Sequence, residues 1–466
     1  MTDVTSSAAT APVADSRPWP SPRQAWYAVA IFALALMINF LDRGIVGLLV
    51  QPIKEDLQLS DFRISLIIGF AFVCMYVILG LPIARMVDSR SRRIILTCGI
   101  TAWSIATALC GLAQNFWQLF LARIGVGAGE SCSGPATFSM MADLFPPRKL
   151  PRAIAVLNFG FIAGLGGALL IGGAAIVWIG TWPPVSLPGI GVLRPWQLVF
   201  LVVSVPGFIV AALMLTVKEP IRRGVAASGA GGAPVQSIPI SEVVQYLRTH
   251  WTTYAPMFIG VASNTVLAFG HQAWHAAFFQ RTYGWSAPQF ATTFGIAIII
   301  VGPISLMTGS WLAERYARQG RLDANMRVTL LASVLNFLPQ VLYPFMPTPE
   351  LAMALVVAGF AGAMMSPGPY NAAIQIVTPN QMRGQVTALF LFVFNIVGFG
   401  LGATIVASFT NFVFADENML RYSLAATSIV MGPISLICFW LGLKPYARSV
   451  ERMGAHRDTV ATQASH

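Results

Sequence analysis

Two acidic and two basic residues lie inside segments that are otherwise almost wholly apolar. Asp42 and Arg43 are adjacent in the stretch MINFLDRGIVG, while Arg123 and Glu130 belong to LARIGVGAGES. An ionised side chain at the centre of a bilayer costs about 2.5–3.5 kcal/mol on insertion scales, and at that depth it usually lines a substrate or ion pathway. Burial also favours the protonated form of a carboxylate. The pattern predicts a proton-coupling site at Glu130 and Asp42, with arginines available to bind an anionic headgroup.

Depth along each helix predicts which of these groups meet. At about 1.5 Å per residue, Asp42 and Arg123 lie at nearly the same depth in a hydrocarbon core about 30 Å thick. Glu130 follows Arg123 by two helical turns, so it shares the same face and lies about 10 Å deeper. We expect an Asp42–Arg123 pair above Glu130, with Arg43 directed at another partner such as Asn39. The alternative is that these charges only neutralise one another and fix helix packing.

The composition of the chain indicates a membrane protein. Of its 466 residues, 56% are hydrophobic and only 10% are charged, and the mean hydropathy is +0.68. Soluble domains contain about 25% charged residues. The five cysteines all lie in apolar runs without metal-ligand spacing, and the first 25 residues contain no apolar core typical of a cleaved signal. We therefore expect the first span itself to direct membrane insertion.

Apolar stretches of 18 or more residues predict an all-α protein with twelve transmembrane helices. The predicted spans are 26–50, 63–86, 93–113, 116–142, 151–178, 196–217, 252–279, 286–312, 327–347, 350–377, 384–412 and 419–442. They form two six-helix halves, 26–217 and 251–442, which are joined by a linker (218–250) and flanked by polar tails (1–25 and 443–466). Within the linker, residues 240–248 are predicted to be helical.

Basic residues predict the orientation of the spans. With both termini and the linker in the cytoplasm, cytoplasmic segments carry 22 of the 29 Lys and Arg residues, and outer segments carry five. This asymmetry follows the positive-inside rule. It predicts a multi-pass protein of the plasma membrane or bacterial inner membrane, and it explains the net charge of +11 without a nucleic-acid partner.

The loops after spans 2 and 8 are similar, as two parallel repeats require. They are ARMVDSRSRR and SWLAERYARQGR. Together with LARIGVGAGES, they resemble the major facilitator superfamily over residues 26–445. Within it, three stretches resemble the spinster family, which exports lysolipids and sphingolipids: NFLDRG, GVGAGESCSGPATFSMMADLFPPRKLPRAIAV and SPGPYNAAIQIVTPNQMRGQVTAL.

The resemblance implies the major facilitator fold and transport by alternating access. It also implies that charges at the cytoplasmic rim latch one state of the cycle; these are Asp88, Arg92, Arg93, Glu314 and Arg315. A purely topogenic charge cluster is the alternative interpretation of this motif.

Neutral polar residues of spans 7 and 10 are further candidates for the cavity wall. They are Asn264, His271, His275, Tyr370, Asn371 and Gln375, in addition to Asn39 of span 1. The two histidines are four residues apart, a spacing that can bind zinc, but no third ligand is close in sequence. Pro and Gly in SPGPYNAAIQ predict a broken helix, and the glycine stretches GLGGALLIGG and GFGLG predict close helix packing.

These patterns favour a secondary transporter. All fixed charge within the spans belongs to the first half, so a substrate with a polar head and an apolar tail suits the cavity. We expect a monomer that moves a lysolipid or sphingolipid-type substrate, with protons as the coupling ion and no cofactor or metal. A proton-coupled organic-anion or drug exporter is the alternative. The sequence contains no phosphate-binding loop or nucleophile elbow, which disfavours an enzyme or ATP-driven pump. A membrane receptor or scaffold would not need two carboxylates in its spans.

Overall fold

The computed structural model describes residues 18–146, 148–188, 191–223, 239–379 and 381–464, with side chains described as far as residue 453. Most of the predicted N-terminal tail and residues 224–238 of the predicted linker therefore lie outside the described residues. The first half contains α1 (Pro22–Leu48), α2 (Val50–Leu57), α3 (Asp61–Ser65), α4 (Ala71–Ser89), α5 (Arg92–Cys110), α6 (Phe116–Glu130), α7 (Ser133–Leu144), α8 (Leu150–Ile179) and α9 (Pro195–Thr216). A π-helix, Leu66–Phe70, joins α3 to α4.

The second half follows a linker helix and has more irregular turns. Its helices are α10 (Ile240–Thr249), α11 (Trp251–Thr265), α12 (His271–Tyr283), α13 (Ala287–Arg318), α14 (Ala324–Leu342), α15 (Pro349–Met365), α16 (Pro367–Val377), α17 (Arg383–Val393), α18 (Leu401–Ser408) and α19 (Leu420–Ala464). The π-helices are Val266–Gly270, Phe394–Gly400 and Phe409–Phe414, and the 3-10 helices are Tyr343–Phe345 and Glu417–Met419. One two-residue hairpin, β1 (Ser186–Leu187) with β2 (Gly191–Val192), departs from an all-α chain.

Local sequence explains where many helices begin. Ser21, Asn115, Ser286 and Thr348 each accept a hydrogen bond from the backbone N–H three residues on, which satisfies a free donor at the helix start. Proline occupies the first turn of the helices that follow Ser21, Ser286 and Thr348, where its missing N–H carries no cost.

Within the described residues, ten helical segments are long and apolar enough to cross a membrane. Two more helical segments coincide with predicted spans 4 and 7. Span 4 is divided by Ser131 and Cys132, so neither α6 nor α7 reaches 18 residues. Span 7 contains polar residues such as His271 and Gln272, which lower its mean hydropathy. The count of twelve spans and the side on which the termini lie stay predictions.

Other expectations about single elements are confirmed. The predicted linker helix appears as α10, and the predicted break in span 10 separates α15 from α16 at Ser366. The last helix differs: α19 continues beyond residue 442 through residues predicted as a tail. The helix runs through Pro445, and the burial of Tyr446 against the bundle stabilises it beyond that proline.

The two halves meet through glycine contacts. A Cβ added at Gly69 would lie 2.5 Å from the carbonyl oxygen of Gly400, and one at Gly166 would lie 2.7 Å from that of Gly295. Only glycine permits backbones to approach this closely. The predicted close packing of the GLGGALLIGG and GFGLG stretches is therefore confirmed.

The bundle has two ends, which we name by the segments they carry. The linker face carries α10 and the start of α1, where Tyr27 hydrogen-bonds with Thr216 over 2.6 Å. The α2 face carries α2 and the Glu417–Met419 turn, and there Trp196 donates to Asp56 over 3.0 Å.

Candidate functional site

Arg43 and Glu130 form the central ion pair of the molecule. The Nε and Nη2 atoms of Arg43 lie 2.9 and 2.8 Å from Oε2 of Glu130, and the Glu130 side chain is completely buried. Arg43 also lies over the ring of Phe72, with 4.4 Å between its Cζ and the ring centroid. The expected Arg43–Asn39 contact is replaced by this pair, because the long arginine side chain reaches from α1 to α6. Asn39 is buried on α1, one turn before Arg43.

Asp42 and Arg123 are in contact, as predicted, but through the backbone carbonyl of Asp42. Nη1 of Arg123 donates to the backbone carbonyl of Asp42 over 3.3 Å, and the Asp42 carboxylate accepts from Thr107 over 3.2 Å. Among the described residues, Oδ1 of Asp42, Oε1 of Glu130 and Nε and Nη2 of Arg123 have no hydrogen-bond partner. The expected carboxylate–guanidinium pair is thus a carbonyl–guanidinium contact, and Asp42, Arg123 and Glu130 retain unused hydrogen-bonding capacity.

A cavity of about 240 Å³ lies between the halves beside this site. A smaller one of about 80 Å³ shares its wall. Arg43 is the one Lys, Arg, Asp or Glu that lines either cavity among the described residues. Asp42, Arg123 and Glu130 are each at most 1% exposed and lie behind it. A ligand in the cavity would therefore contact Arg43 but would influence Glu130 only through Arg43.

The predicted neutral candidates of spans 7 and 10 occupy three different places. Asn264, His275 and Tyr370 line the larger cavity. His271 is buried elsewhere, hydrogen-bonded over 3.0 Å with both Tyr343 and Ser428. The remaining two lie on the exposed side of α16, where Asn371 donates to the carbonyl of Pro367 and Gln375 donates to Thr387.

Sequence reasoning missed an ion cluster at the α2 face. Asp61 is fully buried and accepts from Arg281 through both oxygens, over 2.7 and 2.8 Å, and from Lys54 over 2.7 Å. Lys54 also pairs with Glu417, and Arg281 donates to Gln51. Since Arg281 and Glu417 belong to the second half, these contacts bind the halves together. The only sequence signal for this cluster was that its charged residues lie at the ends of predicted spans.

The linker face is organised differently. The buried Arg92 pairs with Asp143 and, over 3.0 Å, with Glu219. Glu219 also accepts from the backbone N–H groups of Arg92 and Arg93, so it caps α5. Although burial raises the pKa of Glu219, the hydrogen bonds from Arg93 and Arg92 hold that pKa below its usual value. Neither Asp143 nor Glu219 was singled out from the sequence.

The rest of the predicted rim motif makes local contacts. Asp88 is exposed and has no ion pair with a described residue. Glu314 pairs with Arg318 on its own helix, and Arg315 lies over the ring of Trp311. In the described part of the chain, every ion pair at the linker face lies within one half or joins the first half to the linker. The predicted latch role of this motif stays a prediction.

Comparison with known proteins identifies the family. The sequence profile of the Major Facilitator Superfamily matches residues 32–403. An MFS-type efflux pump from Mycolicibacterium smegmatis is 28% identical over 438 residues, which cover 92% of this chain and 95% of that protein. Protein spinster homolog 3 from Homo sapiens is 24% identical over 315 residues, covering 64% of this chain and 58% of that protein.

A solved structure matches nearly the whole chain. It is the crystal structure of a bacterial homolog to the human lysosomal transporter Spinster, in an inward-facing and unoccupied conformation. The TM-score is 0.73 at 22% identity, and the match covers 93% of this chain and 99% of that chain. The apolar helical segments, the inter-half cavity and these matches lead to one conclusion: the chain belongs to the major facilitator superfamily and is a multi-pass membrane transporter with a spinster-like fold.

Proposed function

We propose that this chain is a proton-coupled secondary transporter that moves an amphipathic anion of the lysolipid or sphingolipid type by alternating access. The observation that carries the proposal is the position of Arg43. It supplies positive charge to a cavity whose other lining groups are aromatic, aliphatic or neutral polar, including Phe161, Phe294 and Phe360. An anionic headgroup would pair with Arg43, while an acyl chain would pack along the rings.

Coupling to protons follows from competition for one guanidinium. Arg43 is held by Glu130 when that carboxylate is ionised. A proton on Glu130 removes the charge attraction and frees Arg43 to bind an anion in the cavity. When the proton leaves, Glu130 recaptures Arg43 and the anion loses its partner. Proton and anion therefore occupy the transporter together, as in symport.

The unequal closure of the two ends supports alternating access. The α2-face cluster of Lys54, Asp61, Arg281 and Glu417 joins the halves. At the linker face, the described ion pairs leave the halves unconnected. Breaking the cluster while forming contacts at the linker face would move the cavity opening from one side to the other.

An organic-anion or drug exporter is the second candidate. The cavity of about 240 Å³ is at the small end for ligand sites, which commonly measure about 300–1,000 Å³. A compact aromatic anion fits it without rearrangement. The efflux pump from Mycolicibacterium smegmatis, which aligns along almost the full chain, also favours this candidate.

Reconstitution in liposomes with an imposed pH gradient tests the proposal. The panel contains lysophosphatidic acid, sphingosine-1-phosphate, benzoate and glucuronate. We expect gradient-driven uptake of the lysolipid-type anions, and loss of the pH dependence in Glu130→Gln. Exchange of substrate without a gradient should persist in that variant, because Arg43 remains.

Arg248→Gln is the matched control, because Arg248 is exposed on α10, away from the cavity. It should transport as the wild type does. Uptake of benzoate but of no lysolipid would replace the first candidate with the second. Unchanged pH dependence in Glu130→Gln would refute the coupling role of this carboxylate.

A further inference from the structure

His275 is a buried polar side chain that forms no hydrogen bond of normal length and angle. It is 2% exposed, neither ring nitrogen has a well-formed hydrogen bond to a described residue, and the side chain of Gln340 lies close enough to interact with it weakly. The side chain nevertheless lies in the wall of the larger cavity. His271, one turn earlier, has both nitrogens engaged. Only His275 of the two is therefore available to a ligand.

The surroundings of His275 are neutral. The rings of Phe294 and Tyr343 lie with their centroids 5.6 and 5.4 Å from its own. Gln340 lines the same cavity, is 2% exposed, and has an Oε1 atom that forms no hydrogen bond of normal geometry with a described residue. Buried polar groups are nearly always fully hydrogen-bonded, so a ligand group that reaches this wall of the cavity would complete the hydrogen bonding of both residues.

The chemistry of these orphan atoms defines the ligand group. A neutral imidazole offers one donor and one acceptor, and Oε1 of Gln340 offers an acceptor. A hydroxyl group both donates and accepts, so it can satisfy His275 and Gln340 together. A second ionised group would be unpaired here, because Arg43 is the charged lining residue and belongs to the other half.

We propose that His275 and Gln340 form a second, neutral subsite that recognises a hydroxyl group of the substrate. This inference rests on the proposed function, in which Arg43 binds the anionic group of an amphiphile. The transporter therefore selects anionic amphiphiles that carry a free hydroxyl near the headgroup over those that lack it. His275 is a specificity-determining residue, whereas Arg43 supplies charge recognition.

Equilibrium binding to the full-length protein in nanodiscs tests this subsite. The radiolabelled probes are lysophosphatidic acid and its 2-deoxy analogue, which differ by one hydroxyl. We expect the wild type to bind lysophosphatidic acid about tenfold more tightly, since an orphaned hydrogen-bonding site discriminates by about this factor. His275→Leu should lose the preference while still binding the 2-deoxy analogue, which also shows that the variant is folded.

Two further variants separate recognition from structure. His275→Gln keeps a donor and an acceptor, so it should retain part of the preference. Asn395→Leu is the matched control: Asn395 lines the same cavity, but its amide donates to Leu391 of its own helix. It should keep the full preference.

The outcomes distinguish this proposal from the one on which it rests. If the wild type binds both probes equally and Arg43→Gln loses both, the anion cavity stands and the hydroxyl subsite is refuted. A preference that persists in His275→Leu also refutes it. If the wild type binds neither probe, both proposals fail.

Discussion

The two halves of the molecule carry different kinds of polar group. All seven buried Asp, Glu, Lys and Arg side chains among the described residues belong to the first half. The second half instead buries neutral groups such as Asn264, His275 and Gln340. A carboxylate changes its charge when it binds one proton, whereas an amide stays neutral and recognises hydrogen-bonding shape. We infer that the first half couples transport to protons and that the second half discriminates between substrates.

The same contrast separates the two ends of the bundle. At the α2 face, Asp61 of the first half and Arg281 of the second share two hydrogen bonds. At the linker face, Arg92 pairs with Asp143 and Glu219 of its own half and linker. In the proposed alternating-access cycle, contacts across the halves break at one face, whereas contacts within a half can persist. We therefore infer that the ion pairs of the α2-face cluster break when this face opens.

The largest effect is expected from breaking the central pair of the first half. Arg43→Gln leaves Glu130 as a buried carboxylate without its cation, which should lower the free energy of unfolding by about 3–5 kcal/mol. The double variant Arg43→Gln/Glu130→Gln should recover most of that stability without recovering anion transport. Thermal unfolding in detergent and uptake in liposomes measure the two quantities.

The control for this prediction lies in the second half. Asn336 donates to Asn264 over 3.0 Å, and Asn336→Leu removes this neutral hydrogen bond. Loss of this hydrogen bond should lower the free energy of unfolding by only about 1 kcal/mol. An equal loss of unfolding free energy in Arg43→Gln and Asn336→Leu would contradict the inferred difference between the halves.

The next largest effect is expected at the α2 face. Arg281→Gln removes two charge-assisted hydrogen bonds to Asp61, each worth about 1.5–3 kcal/mol. The equilibrium should therefore shift more than tenfold towards molecules open at this face. Spin labels at the exposed residues Glu55 and Asn418, in a background without native cysteines, should report a longer distance as the main population.

Arg327→Gln is the matched control for that experiment. Arg327 pairs with Asp323 of the same half, at the opposite end of the bundle. Its loss should leave the distance between the labels unchanged. An unchanged distance in Arg281→Gln would mean that the cluster does not hold the α2 face closed.

Much of the fold could be predicted from the sequence, because its signals are local. Long apolar runs, the break at Ser366 and the linker helix at Ile240 each depend on a few neighbouring residues. The glycine contacts could be anticipated too, since small residues permit close approach wherever the partner lies. Counting rise per residue along the two helices also predicted the contact between Asp42 and Arg123, because that rise is nearly constant.

The partners of the charges could not be predicted in the same way. Adjacent helical residues point about 100° apart, and a long arginine can reach several neighbours, so the pairing of Arg43 with Glu130 was missed. The Lys54–Glu417 pair joins residues 363 positions apart. His271 and His275 share one helix face, yet only the packing of neighbouring helices determines which one reaches the cavity. These contacts depend on how helices rotate and pack.

A smaller effect is expected where the halves touch through glycine. In Gly69→Ala, the new Cβ would lie 2.5 Å from the carbonyl oxygen of Gly400, so the backbones must separate. Overpacking of this kind costs about 1–3 kcal/mol. Gly80→Ala is the control, because nothing lies within 4 Å of its Cβ position. Thermal unfolding should separate the two variants, and a melting temperature equally unchanged in both would argue against tight contact here.

The smallest effect is expected at the linker face, where Glu219 is partly exposed and its interactions are screened by solvent. Its pKa is lower in the folded protein than the usual value of about 4.3, so the ionised form stabilises the fold above that pH. As the pH falls through the lowered pKa, this contribution is lost.

Glu219→Gln should therefore melt slightly below the wild type at pH 7, by an amount that corresponds to at most about 1 kcal/mol, and the difference should shrink in acid. The Arg92–Glu219 pair connects the first half to the linker and not to the second half. Transport by Glu219→Gln should therefore stay near that of the wild type, in contrast to Arg281→Gln.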